Sequence, residues 1–240
     1  MPLYDYPRHT DKLIVLMSSG DGFPLRSWYL GEHAPRTAAL EGITEYRANI
    51  LSEQALNCLT RDTNGEDPYG VQAVDEIKGA RWEDIKALYE GLHIIGAYRV
   101  TEYMIRELHT DRPTGRKSPE IKRIALLTRP VDKTHEQAME YWLERHPSFC
   151  FRHHSGMASY SQNHVDGVLT EDSLPLDGFP ILTYWNEDAL RFGHFSMEDS
   201  KRLMVEDCRH FRSTSFVVTV DEYIMKRPRS WRDAPCRTPA

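Results

Sequence analysis

Hydrophobic and polar positions run through the same order twice along this chain. Lys12-Leu-Ile-Val-Leu-Met17 and Ile121-Lys-Arg-Ile-Ala-Leu-Leu127 are short apolar runs rich in branched residues, which suits strands. Helical spacing follows each run. Ala138, Tyr141, Trp142 and Arg145 recur at that spacing, and Thr134 with Gln137 has the form of a capping box. Pro24 suits a first helical turn, while Pro35 and Pro147, just after His33 and His146, are expected to stop their helices. Second strands are predicted from Gly42 and Gly156, and third strands over residues 69–74 and 179–185. Helices over 82–94 and 197–211 come next, the latter capped by Ser196 with Asp199, and strands over 98–108 and 215–225 close each half.

The two halves also share words. Tyr29-Leu-Gly-Glu-His33 is echoed by Trp142-Leu-Glu-Arg-His146, and Gly42-Ile-Thr-Glu-Tyr46 by Gly156-Met-Ala-Ser-Tyr160. Thr101-Glu-Tyr-Met-Ile105 matches Asp221-Glu-Tyr-Ile-Met225 in the same order. A period above one hundred residues indicates a duplicated unit rather than a solenoid. The expected fold class is therefore α+β, with two tandem ferredoxin-like βαββαβ repeats whose antiparallel sheets face each other as an α+β barrel. The expected division is a first repeat over 1–110, a linker over 111–120, a second repeat over 121–226 and a tail over 227–240.

Composition narrows the class of protein. With 40% apolar residues the chain can build ordinary cores, and a net charge of −6 argues against a nucleic-acid surface. No apolar run approaches the roughly 18 residues of a membrane span, and no signal peptide is visible, so a cytoplasmic setting is expected. Cys58, Cys150, Cys208 and Cys236 are scattered, and all four are read as reduced thiols. Gly20-Asp-Gly22 lacks the third glycine of a dinucleotide fingerprint, and no Gly-x-Ser-x-Gly elbow is present.

Trp142-Leu-Glu-Arg-His146 followed by Tyr160-Ser-Gln-Asn-His164 resembles the EthD family of the dimeric α+β barrel superfamily. The resemblance spans most of residues 118–226. It is weaker over 11–108, where Tyr29, His33, Tyr46 and Asn49 match while Ala48 and Ile50 replace the Gln and His. It implies a small-molecule protein of catabolism or polyketide modification. A narrower similarity is to methylesterases and cis–trans isomerases acting on ring-cleavage products of lignin-derived aromatics.

Read without the family, strand alternation places Ala158, Tyr160, Gln162 and His164 on one face, with Ser161 and Asn163 on the other. The matching face of the first half carries Tyr46, Ala48 and Ile50, opposite Glu45, Arg47 and Asn49. The second half is thus expected to line a polar cavity and the first to be structural. Tyr160, His164, His146 and His194 can exchange protons near neutral pH, and Asn163 can stabilise an oxyanion. Substrate contacts are assigned to Trp185, Gln162, Tyr46, Asn49, His33, Arg47 and Arg129, the last as a carboxylate binder. Trp142 is read as core, His153-His154 as solvated loop histidines, and His210 with Asp207 or Glu206 as a surface pair.

The expected function is acid–base chemistry on an oxygenated, aromatic-derived carboxylic acid, either methyl-ester hydrolysis or isomerisation. It calls for no cofactor and no metal. Two other readings stand beside it: a haem-dependent monooxygenase or peroxidase, and a non-catalytic small-molecule-binding barrel. Pairing of two chains through exposed sheet edges into a homodimer is a further expectation.

Overall fold

A computed structural model describes residues 9–20, 22–53, 69–108 and 110–227. The first half comprises β1 (His9–Ser18), α1 (Leu25–Trp28), α2 (Ala34–Ala39), β2 (Glu45–Leu51), β3 (Ala73–Lys78), α3 (Trp82–Ile85) and β4 (His93–Arg106). The second comprises β5 (Ile121–Thr128), α4 (His135–Glu144), α5 (His146–His153), β6 (Met157–Val168), β7 (Gly178–Tyr184), α6 (Glu187–Gly193), α7 (Ser200–Cys208) and β8 (Thr214–Lys226). The strands close a single antiparallel barrel in the order β1-β3-β2-β8-β5-β7-β6-β4. Each half keeps the ferredoxin-like order, and β2 pairs with β8 while β4 pairs with β6 to join the halves.

Closure pairs each of these strands on both sides, so the exposed sheet edges expected to recruit a second chain are used within the molecule. Among the described residues no helix is long and apolar enough to cross a membrane. Of the expected tail over 227–240, residues 228–240 lie outside the described residues.

One end of the barrel interior is apolar, with Ile14, Leu16, Val74, Val100, Ile124 and Phe179 contributed by both halves. The other end holds a closed ring of alternating charges. Lys12 bridges Glu76 and Glu102 at 2.7 and 2.8 Å, and Lys122 bridges Glu76 and Glu222. Arg47 joins Glu222 to Glu45, and Lys78 joins Glu45 back to Glu102. Each buried carboxylate thus has two cations, which is what burial of charge demands.

Several elements differ from the sequence expectation for local reasons. The third strand of the first half is Ala73–Lys78 rather than 69–74, because Asp75 and Glu76, two carboxylates beyond the expected strand end, are buried with partners. The helix expected over 82–94 is only α3 and a 3-10 turn, Lys86–Tyr89; Gly91 at φ 86° then turns the chain into β4. Pro147 does not end a helix but sits in the first turn of α5, where its missing N–H has no partner to lose. The predicted cap at Ser196 is absent: α7 starts at Ser200, and Ser196 Oγ donates to the His153 carbonyl instead. The capping box at Thr134 and Gln137 is present as read.

Candidate active site

The second repeat encloses a cavity between the outer face of its sheet and its helices. α4 turns Ala138, Met139 and Trp142 toward the sheet. Gly178 on β7 makes room for the indole, since a Cβ there would lie 2.7 Å from Trp142 Cζ3. Trp142 Nε1 donates to the Tyr160 hydroxyl at 2.8 Å, and Gln162 Nε2 donates to the same oxygen at 3.1 Å. His146, at the start of α5, holds its Nδ1 2.5 Å from Asp207 Oδ2 of α7, and Tyr141 donates to the other Asp207 oxygen at 2.9 Å.

The cavity measures about 80 Å³. Its polar lining is Arg123, His146, Tyr160, His154, His194 and Arg212, with Cys150 and Cys208 beside them. Phe195, Val205 and Arg212 are lining residues with solvent exposure. His194 reaches Tyr184 through Nδ1 at 2.6 Å and Arg123 through Nε2 at 3.4 Å. His154 stacks on His194 with ring centroids 4.4 Å apart.

Burial sets the protonation states. It lowers the pKa of His146 against the opposing pull of Asp207, and it lowers that of His154 well below the ordinary value, helped by neighbouring His194. Burial raises Tyr160 and Cys150 well above theirs. At neutral pH the site therefore offers the neutral imidazoles of His146 and His154, the protonated phenol of Tyr160 and the protonated thiol of Cys150.

Of the sequence candidates, His146, Tyr160 and His194 meet at this cavity. Gln162 and His164 stand behind it: Gln162 also bonds the Trp142 carbonyl at 2.8 Å, and His164 lies 3.1 Å from Gln162 Oε1 and stacks on Trp142 at 4.8 Å. Asn163 faces the other way, donating to the Phe179 carbonyl and Ser161. Trp185 is half exposed outside the cavity, and Arg129 pairs with Asp177. Arg47 and Asn49 belong to the charged barrel interior, where Asn49 Nδ2 donates to Glu76 at 3.1 Å.

Two sequence readings need correction. His153 and His154 are buried rather than solvated: His153 ends α5 beside Ser200 Oγ at 3.0 Å, and His154 lines the cavity. Asp207 serves His146 and Tyr141 rather than His210, which stacks on Tyr141 instead. Trp142 is core, as read, yet also forms a cavity wall. Arg123, His154, Asp207 and the two cysteines were not singled out as site residues; the one available signal was an arginine inside the apolar run of β5.

The first repeat fills the corresponding space. Asp75, fully buried, gathers Tyr29, Tyr46 and Tyr89 hydroxyls and lies 2.7 Å from His33 Nε2. Strand register makes Pro180 its counterpart, because Asp75 faces Ala48 as Pro180 faces Gln162. The same register equates Leu13, opposite Ile77, with Arg123, opposite Leu182.

His146, Asp207 and Cys208 bring ligand atoms within 4.8 Å of one another, a set with the nitrogen, oxygen and sulfur donors of a transition-metal site. A haem does not fit: the cavity is far below the roughly 300–1,000 Å³ of pockets for drug-sized ligands.

No protein-family model and no curated protein matches the chain by sequence. Solved structures match by shape. An anthrone oxidase-like protein is 10% identical with a TM-score of 0.54, over 90% of this chain and 93% of that one. A monooxygenase candidate from Fusobacterium nucleatum subsp. nucleatum ATCC 25586 is 9% identical with a TM-score of 0.50, over 93% and 94%. Another, from Lactobacillus acidophilus NCFM, is 12% identical with a TM-score of 0.49, over 91% and 97%. The first two show that the α+β barrel fold is shared with solved proteins.

Proposed function

We propose that the second repeat is an EthD-like enzyme site that moves protons on a compact, oxygenated, enolisable substrate. The Asp207–His146 pair carries this reading. Asp207 takes the Nδ1 side of the ring, which leaves Nε2 of a neutral imidazole as the base. The Tyr160 oxygen already accepts from Trp142 and Gln162, so its own proton is the one left to give to a developing oxyanion. His194 completes the polar wall, oriented by Tyr184.

Isomerisation through an enolate needs no group beyond these. Ester hydrolysis would place a water on the same base. An oxidation of the kind for which the neighbouring folds are named would start from the same carbanion. The cavity favours a smaller molecule than an aromatic ring-cleavage diacid.

The test is solvent-deuterium incorporation, followed by NMR over a panel of small enolisable acids, esters and ketones. Catalysed wash-in that falls at least about 100-fold in His146→Gln supports the reading. No wash-in above buffer for any member of the panel sinks it.

A further inference from the structure

The two repeats also differ inside the barrel, at its charged end. In the first, Glu45 faces Lys78 and Arg47 faces Glu76 across β2 and β3, and all four side chains belong to the charged ring. The same register pairs β6 with β7 in the second. There Ser159 faces Thr183 and Ser161 faces Ile181, so the equivalent positions carry no charge. Short hydroxyl side chains stand where the first repeat has a glutamate and a lysine. A cavity of about 120 Å³ lies at this mouth of the barrel, bordered by Ser159 and Thr183 as well as by Glu45, Arg47 and Lys78.

The segment that joins the repeats adds Thr110, Arg112 and Glu120 to the lining. Glu120 is 7% exposed and gives one carboxylate oxygen, Oε1, to Arg112. Its other oxygen, Oε2, is buried and has no hydrogen-bond partner among the described residues. A buried carboxylate oxygen in that state costs free energy until a donor reaches it. Arg112 is its complement, because a guanidinium has five N–H groups and the ion pair with Glu120 engages one terminal nitrogen. Burial lowers the Arg112 pKa, and Arg227 pushes the same way against the pull of Glu222, so a further carboxylate beside Arg112 would relieve a repulsion. Four cationic and four anionic side chains line the cavity, which makes the wall formally neutral.

We propose that this second cavity binds a small zwitterionic α-amino acid, with its ammonium on Glu120 and its carboxylate on Arg112. A zwitterion brings a charged donor and a charged acceptor with no net charge, which matches an open acceptor beside an open donor in a neutral wall. Size restricts the side chain. At about 120 Å³ the space is smaller than an engineered cavity of roughly 150 Å³ that takes benzene, so glycine, alanine and serine fit and an aromatic amino acid does not. The two cavities share no lining residue, so this inference stands apart from the proposed function.

The experiment is calorimetric titration of the full chain with glycine, alanine, serine and tryptophan. Glycine is set against glycinamide and acetate, and alanine against alaninamide and propionate, which lack the carboxylate and the ammonium in turn. Glycine or alanine is expected to bind about tenfold or more tightly than both of its analogues, the scale of one charge-assisted hydrogen bond, with tryptophan the weakest of the four. Glu120→Gln keeps the shape but not the charge that holds the ammonium, and is expected to lose the preference for the amino acid over its acid analogue. Ser159→Glu combined with Thr183→Lys installs the first repeat's pair in the cavity and is expected to abolish binding, with circular dichroism reporting the fold. If the double variant does not fold, Glu120→Gln decides the matter. The inference is overturned if neither glycine nor alanine is preferred to both analogues, if tryptophan binds as tightly, or if the preference survives in Glu120→Gln.

Discussion

Pro180 occupies in the second repeat the place that Asp75 occupies in the first. That one exchange explains why duplicated elements enclose a packed polar knot in one half and a cavity in the other. With Asp75 present, three phenols and an imidazole converge on one carboxylate, and burial together with that carboxylate holds all three phenols well above their ordinary pKa. With proline present, Tyr160 has no carboxylate partner and instead accepts from Trp142 and Gln162.

Asp75→Asn is accordingly expected to destabilise the protein severely. The amide presents an N–H to groups that all need an acceptor, so buried donors lose their partner. Breaking one member of a buried charged network costs about 3–5 kcal/mol. Urea unfolding measures it. A loss below about 1 kcal/mol would show that the knot rearranges around the amide.

Asp207→Asn tests the base. Asp207 raises the pKa of His146 against burial, so its removal lets that pKa fall further. A base acts when deprotonated, and the acid limb of the rate profile follows its pKa. The limb of deuterium wash-in should therefore move to lower pH, with the plateau rate reduced about 100-fold. A lower rate with an unmoved limb would reduce Asp207 to a structural support.

The duplication, the eight-stranded α+β plan and the opposite faces of β2 and β6 were legible because pleat and repeat are written in residue order. Tyr46, Ala48 and Ile50 against Tyr160, Gln162 and His164 showed that the two second strands differ on that face, yet Gln162 and His164 stand behind the cavity rather than in its lining. What stayed hidden depended on partners distant in sequence. Asp75 and Glu76, two carboxylates beyond the expected strand end, find their partners only when Tyr29 and Lys12 reach them from other elements. Alternation gives Arg123 a face but cannot say that helices close over that face and leave a space. His154 is buried because α5 ends just before it, and that helix exists because Pro147 starts one rather than stopping one.

Acid should weaken the fold in two stages. Burial, with a smaller push from His135, takes His164 down to about 3, while the unfolded chain titrates near 6.5. Its folded pKa lies below its unfolded one, so its contribution is complete above about pH 6.5 and is lost as pH falls toward 3. His146 and His154, also lowered by burial, add to this stage. Glu102 and Glu222 follow. Burial alone would raise them, yet Lys12 with Lys78, and Lys122 with Arg47, hold both at about 2. Their contribution disappears between about pH 4.5 and 2. In His164→Phe, stability measured by urea unfolding should depend less steeply on pH between 6.5 and 4.5, with the lower stage intact. An unchanged upper slope would mean that His164 takes its proton without leaving the fold.

Gly156→Ala separates the two repeats by a single methyl group. A Cβ at Gly156 would stand 2.0 Å from the Ala189 carbonyl oxygen and 3.0 Å from Gly193 Cα, both backbone atoms of α6. The Gly156 amide also donates to the Gly193 carbonyl at 3.2 Å, so β6 and α6 touch through glycines on both sides. The methyl group must push α6 outward, and His194, which follows Gly193 directly, moves with it away from Tyr184 and Arg123. At Gly42, the corresponding glycine of the first repeat, a Cβ would meet only the Gly79 carbonyl at 3.7 Å, an ordinary contact. Gly42→Ala is therefore expected to change stability by less than about 1 kcal/mol, the scale of a mild substitution. Gly156→Ala should cost about 1–3 kcal/mol, as overpacking does, and should lower the rate of deuterium wash-in as well. Thermal melts and wash-in rates measure both. Equal effects of the two substitutions would show that the α6 contact plays no part in shaping the cavity.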